Sequence, residues 1–375
     1  MRSFYNERYR REPAATYFAP GRVNLLGGPD YNDVCVLPFA LGTGVYAAAA
    51  RRPDRRLAVA SRQAGGETAV LDIDALEPGS VTGWAAYPAG VAWALREAGH
   101  LAGGADLAVD GDLPMGSGLS SSAALECSVA LALTGLYQVT VPRPELAALA
   151  RRAENEFVGA PCGIMDQFVA LHGRAGHALL LDCRTGTETA VPLDPAAAGL
   201  AFLVIDTRVR HAVGDGQYGD RRRACEQAAA QLGVRALRDV VDDPAAPDRL
   251  ADPELRSVAG HVIAEHGRVR RAVDLLRAGD PGAFGSLLTE SHRSLRYRFR
   301  MSWPQADVAV EAAIDHGAIG ARMTGGGFGG SVVALVPAGQ DEEVRGAVSR
   351  RFGRHNWPAP RFLTAAPSDG ARRVG

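Results

Sequence analysis

Apolar positions along this chain alternate between short continuous runs and longer stretches that repeat at helical spacing. The short runs at 15–19, 44–50 and 57–61 are rich in alanine, valine and aromatics and predict strands. Residues 86–98 repeat at three and four and stop at Gly99, which predicts a helix with a glycine end. A short strand at 107–110 leads into a loop, and an alanine- and leucine-rich helix follows over 123–133. A further helix is expected over 144–156, and the unbroken apolar runs at 178–182 and 200–206 read as buried strands. Beyond them the spacing predicts helices over 220–232, 253–278 and 304–316, then a glycine cluster after 320–323 and a strand over 331–336. The proline-rich patch 191–195 is the expected seam between two domains, 1–190 and 191–375, and 242–247 reads as a surface loop.

Length and composition narrow the classes. With 375 residues, 47% hydrophobic and 22% charged, the chain can bury two cores as an ordinary globular protein. A net charge of −1 gives no electrostatic case for nucleic acid or an anionic membrane, and no run is long and apolar enough to span a bilayer. Residues 1–11 are polar and lack the apolar stretch of a signal peptide. The cysteines at 35, 127, 162, 183 and 225 form no C-x-x-C pair, so reduced thiols and a cytoplasmic location are expected. The histidines show no paired-ligand spacing, so an expected metal is a hard, oxygen-bound one such as magnesium. All 41 basic residues are arginine, which excludes a Walker A loop, a protein-kinase site and a Schiff-base mechanism, since each needs a lysine.

The candidate chemistry begins at 113–125, Leu-Pro-Met-Gly-Ser-Gly-Leu-Ser-Ser-Ser-Ala-Ala-Leu. Two glycines and a triple serine ahead of a helix aim unpaired N–H groups and a positive helix end at one small volume, which favours a phosphate. Three other segments carry reactive groups. Arg22, in Pro-Gly-Arg-Val-Asn-Leu at 20–25, is a fixed cation suited to a carboxylate or phosphate, or to a surface ion pair. Asp166, in Cys-Gly-Ile-Met-Asp-Gln at 162–167, suits a general base or a helix N-cap. The run Thr-Gly-Gly-Gly-Phe-Gly-Gly at 324–330 taken alone is a flexible turn.

These four segments, in this order, resemble the GHMP small-molecule kinases and within them the galactokinase group. The stretch 218–226 (Y-G-D-R-R-R-A-C-E) is also similar to that group, and the likeness spans nearly the whole chain. The resemblance implies an α+β fold of two domains, an S5-like N-terminal one and a ferredoxin-like C-terminal one, with the site between them. It implies ATP and Mg2+, with Asp166 as catalytic base and Arg22 stabilising its charge. Gly116, Ser117, Gly118, Leu119, Ser120 and Ser121 would wrap the triphosphate, and Ser122 and Glu154 would coordinate the metal. Asp30, Gly163 and Tyr218 match sugar-contacting positions.

Two departures shape the expected acceptor. Galactokinases carry G-E-H-T-D-Y where this chain has Gly27-Gly28-Pro29-Asp30-Tyr31, one residue shorter and without the Glu and His. Loss of two polar partners weakens selection for hydroxyls, so the expected acceptor is a sugar or cyclitol other than galactose. Where the group reads S-L-R-D-D, this chain reads Ser294-Leu295-Arg296-Tyr297-Arg298. Arg298 is then either a solvated surface residue or a pocket residue that favours an anionic or already phosphorylated substrate. An ordinary galactokinase making galactose 1-phosphate and a catalytically silent sugar sensor are the alternatives. The sequence leaves the oligomeric state open.

Overall fold

The computed structural model describes residues 1–114, 116–210 and 216–375. After a short helix, α1 (Arg2–Tyr9), the chain enters β1 (Ala15–Gly27), a strand buried at all thirteen positions. It pairs antiparallel with β2 (Cys35–Arg52), whose alanines are buried on both faces. Ala47 and Ala49 join the main core, while Ala48 and Ala50 pack under Phe4 and Tyr5 of α1. That two-sided burial is why this stretch reads as a continuous apolar run instead of an alternating one.

The first sheet is completed by β3 (Arg56–Ser61), β4 (Thr68–Asp72), β5 (Gly104–Gly111), β6 (His177–Asp182) and β7 (Thr187–Pro192). The helices α2 (Ala86–Glu97), α3 (Ser121–Leu136), α4 (Arg143–Arg152) and α5 (Met165–His172) gather around α3, which lies on β1, β2 and β5. The helix expected over 144–156 ends earlier: α4 passes into a π-helical turn, Ala153–Val158, closed by Gly159 in the left-handed region.

A second, antiparallel sheet orders as β11–β8–β10–β9, from β8 (Leu200–Asp206), β9 (Gly320–Thr324), β10 (Ser331–Pro337) and β11 (Arg361–Ala365). Around it pack α6 (Gln217–Gln231), α7 (Pro253–Ala278), α8 (Pro281–Ser294), α9 (Pro304–Asp315) and α10 (Asp341–Arg354). The long helix spans the residues its pattern predicts, because Asp252 caps its first N–H groups and Gly279 turns left-handed after its end. The halves share one core, where Phe39 stacks on Phe202 with ring centres 5.3 Å apart. A last strand, β12 (Arg372–Arg373), returns to pair with β1. Among the described residues, no helix is long and apolar enough to cross a membrane.

The second half also buries charge. Glu265 on α7 takes hydrogen bonds from Arg268 and Ser291 and sits 3.6 Å from Arg322. Beside it, His261 is fully buried, its Nδ1 2.8 Å from Ser294 Oγ and its ring against Phe299. Burial pushes the imidazole down to about 3; the Arg268, Arg322 and Arg298 charges act in the same direction and Glu265 opposes them. Native His261 therefore stays neutral where the unfolded chain takes up a proton, so its contribution is complete above pH 6.5 and is lost as pH falls towards 3. At pH 5 the loss from this residue is roughly 2 kcal/mol. Urea midpoints at pH 7 and pH 5 should differ by less in His261→Gln than in the parent; equal pH slopes would assign the acid sensitivity elsewhere.

Candidate active site

A bulge in β1 starts the site. The β1–β2 register shifts between Pro20 and Arg22, and Gly21 approaches the loop before α3 so closely that a Cβ there would stand 2.5 Å from Leu119 O. The irregularity turns Arg22 inward, not to the surface. Its side chain is 6% exposed, and its Nε and Nη2 donate to the two oxygens of Asp166 at 2.8 and 3.0 Å. Nη1 donates to Gly118 O at 2.6 Å, which ties the same guanidinium to the glycine–serine loop.

Asp166 stands in the first turn of α5 with Ile164 at the cap position, so it is not an N-cap. Besides Arg22 it accepts a hydrogen bond from Ser120 Oγ at 2.5 Å. Ser120 adopts a left-handed backbone (φ 60°) as it caps α3.

Two cavities meet at this pair. One, of about 430 Å³, is bordered by Asp30, Gly163, Tyr218 and Met301; the other, of about 660 Å³, by Gly116, Gly118 and Ser120–Ser122. Arg22, Asp166, Ser122, Tyr87 and Gly326 border both. The larger cavity receives the start of α3, whose first N–H groups lack helical partners. Apolar residues including Val45, Trp84 and Leu113 border the same cavity. The last glycine run is pinned: Thr324 Oγ1 exchanges 3.1 Å hydrogen bonds with the N–H and C=O of Asn24, and Gly325 lies against Gly118.

Not every loop residue turns towards the cavity. Ser117 is buried, its hydroxyl spent on Pro114 O and its carbonyl on Ser331 Oγ. Leu119 is buried too, and its carbonyl accepts the Arg22 N–H.

In the smaller cavity, Asp30 Oδ2 accepts the Met165 N–H at 3.1 Å and lies over the α-carbon of Gly163. Burial, with the nearby Asp166 charge, holds the Asp30 carboxyl above its ordinary range. Tyr218 packs edge-on against Tyr31.

Glu154, in the π-helical turn, hydrogen-bonds Ser122. Its Oε2 accepts from Gln167 Nε2 at 2.6 Å and from Cys162 Sγ at 3.3 Å. Below it, Glu126 is completely buried. Burial and neighbouring carboxylates push both acids up. Among the described residues neither forms an ion pair, and no group of three His, Cys, Asp or Glu side chains could hold a metal alone. Ser122 borders both cavities and Glu154 the smaller one, and a hydroxyl beside a carboxylate is a donor set suited to magnesium, which usually takes its remaining ligands from phosphate and water.

Arg298 is not in this site. It is exposed beside Pro247 and Gly260 on the far face of α7, and only Leu295 of the 294–298 stretch borders the sugar-sized cavity. Sequence reasoning also missed residues the cleft uses. Trp84 and Tyr87 carried no motif, and Arg322 stood in the 320–323 lead-in to the glycine cluster without a role. Gln167 stood inside a quoted motif but drew no role.

Residues 86–174 match the GHMP kinases N terminal domain, 272–355 the GHMP kinases C terminal domain, and 3–51 the galactokinase galactose-binding signature. The chain is 49% identical over 374 residues to the galactokinase of Streptomyces coelicolor, covering 99% of this chain and 97% of the relative. It is 44% identical over 358 residues to the galactokinase of Mycobacterium tuberculosis, covering 95% and 98%. The crystal structure of Lactococcus lactis galactokinase complexed with galactose superposes with a TM-score of 0.94 at 30% identity, over 100% of this chain and 98% of that one. A mevalonate kinase structure shares the fold at a TM-score of 0.66 and 16% identity, over 94% and 99%.

These relatives overturn the expectation of an acceptor other than galactose, anionic or already phosphorylated. The physical reasons agree. The arginine that motivated an anionic acceptor lies outside the cleft, and the shortened loop keeps its carboxylate, Asp30, fixed inside it. The galactose-binding signature runs through that shortened loop.

Proposed function

The chain belongs to the GHMP kinases, in the galactokinase group, and on that premise we propose that it transfers the terminal phosphoryl group of ATP to galactose, making galactose 1-phosphate. It is a phosphotransferase with an alcohol acceptor, built on the two-domain α+β fold of that family. In this reading residues 1–190 and 191–375 are its two domains, with β7 running two residues past that seam and the final strand returned to the first sheet.

The observation that carries the reading is the Arg22–Asp166 pair at the junction of two cavities. Phosphoryl transfer asks chiefly for positioning and charge neutralisation. Asp166 orients the anomeric hydroxyl and accepts its proton. Arg22 grips both oxygens of that carboxylate and keeps a fixed positive charge beside the transferring group. With no lysine in the chain, the N–H groups of the 116–121 loop and the positive end of α3 take up the phosphates. The apolar residues around Trp84 take the base. Ser122 and Glu154 would hold magnesium, which supplies charge neutralisation at the phosphate oxygens. Asp30, Gly163 and Tyr218 hold the sugar.

Purified protein with ATP and magnesium should phosphorylate galactose at least about 10²-fold more efficiently, by kcat/KM, than it does glucose or a uronic acid. Phosphorylation of another acceptor with none of galactose would sink the reading.

A further inference from the structure

Gln167 follows the candidate base directly and is completely buried, yet it borders neither of the two cavities. Its amide nitrogen donates in two directions, to Glu154 Oε2 at 2.6 Å and to Glu126 Oε2 at 3.1 Å. Three separate elements meet there. Ser122 and Glu126 lie one turn apart on α3, Glu154 stands in the π-helical turn, and Asp166 and Gln167 open α5.

We propose that Gln167, braced by Glu126, is a positioning residue for the metal: it holds one oxygen of Glu154 so that the carboxylate presents to Ser122 and the bound nucleotide. The inference rests on the reading that Ser122 and Glu154 hold magnesium.

Three features support it. Both the Gln167 and the Cys162 contacts fall on Glu154 Oε2, which leaves Oε1 out of the clamp. An amide is the group that can donate to two carboxylates at once without adding charge, whereas an acid there would repel both. Glu126 also lies within hydrogen-bond reach of Glu154, so it braces the clamp from both sides. Among the described residues its Oε1 has no partner, a costly state for a carboxyl group, and its Oε2 fixes which way the Gln167 amide faces. Partners of this kind, once removed from a metal ligand, cost about 10- to 100-fold in metal affinity or activity. The same first turn of α5 thereby sets the base through Asp166 and the metal ligand through Gln167.

The test is ADP binding by calorimetry, with excess magnesium and with chelator, in the parent and in Gln167→Met. The gain in ADP affinity on adding magnesium should shrink about 10- to 100-fold in the variant, while galactose affinity and ADP affinity without magnesium hold. Should the methionine variant not fold, Gln167→Asn keeps the amide but is one carbon too short to reach both acids, and the same shift is expected. An undiminished magnesium-dependent gain in a folded variant would overturn the role. So would equal losses of galactose and metal-free ADP affinity, which mark a merely structural residue. Absence of galactose phosphorylation by the parent would instead overturn the functional reading; a parent that phosphorylates galactose but binds ADP equally with and without magnesium would overturn the metal assignment and this role together.

Discussion

Asp166→Asn should lower kcat for galactose by about 10²- to 10⁴-fold, the range that a positioned proton acceptor contributes. The substitution keeps the size of the side chain and removes its charge. Arg22 retains its bond to Gly118 O, so the cation stays in place, although one of its two bonds to residue 166 now meets an amide. Asp30, Gly163 and Tyr218 are untouched, so KM for galactose should move little. ADP release under saturating galactose measures the effect, and a kcat within about tenfold of the parent would remove Asp166 as the base. Arg22→Met should also fall steeply. The double variant should cost little more than the worse single one, because a bidentate pair acts as a unit. If the two losses simply multiplied, the pair would not be working together on the acceptor.

The fold was legible where a boundary has a chemical cause. Asp252, Pro253 and Gly279 mark α7, and the unbroken apolar run marks β8. It was less legible where tertiary pairing overrides local signals. Only 44–50 of β2 reads as a strand, because Pro38 and Gly42 interrupt the pattern before it, yet pairing with β1, β5 and β6 carries it from Cys35 to Arg52. Residues 281–294 hold two glycines near their start and gave no helical signal, although Asp280 caps α8 there and its packing on β9 holds it.

The site divides in the same way. Arg22 and Asp166 are 144 residues apart, and no local rule joins them; their motifs named them as candidates, and the bulge at Gly21 brings them together. The misreading of Arg298 is equally physical. Residues 295–299 form a π-helical turn in which Leu295 faces inward while Tyr297 and Arg298 face solvent, so a change of charge in the sequence never reached the pocket. Loss of side chains at Gly28 and Pro29 was visible, but the anchoring of Asp30 to the Met165 N–H was not.

Gly163→Ala should reduce kcat/KM for galactose by about 10²-fold, mostly through KM, with KM for ATP nearly unchanged. A Cβ built on Gly163 would stand 1.9 and 2.3 Å from the two carboxylate oxygens of Asp30 and 2.0 Å from the carbon between them. No such contact can persist, so one group must move. Asp30 cannot swing aside freely, because its Oδ2 is held by the N–H of Met165, whose neighbour is Asp166. If Asp30 retreats, the sugar loses a contact. If the 162–165 turn retreats instead, the start of α5 moves with it and the base is displaced. Overpacking of this kind also costs about 1–3 kcal/mol, so a melting curve must accompany the kinetics. A folded Gly163→Ala enzyme with the parent's KM for galactose would mean that Asp30 does not read the sugar. The shortened loop would then have lost all three of its expected hydroxyl partners. A rise in KM confined to galactose would place the sugar against the Asp30–Gly163 side of the cavity, where the deletion spared one carboxylate.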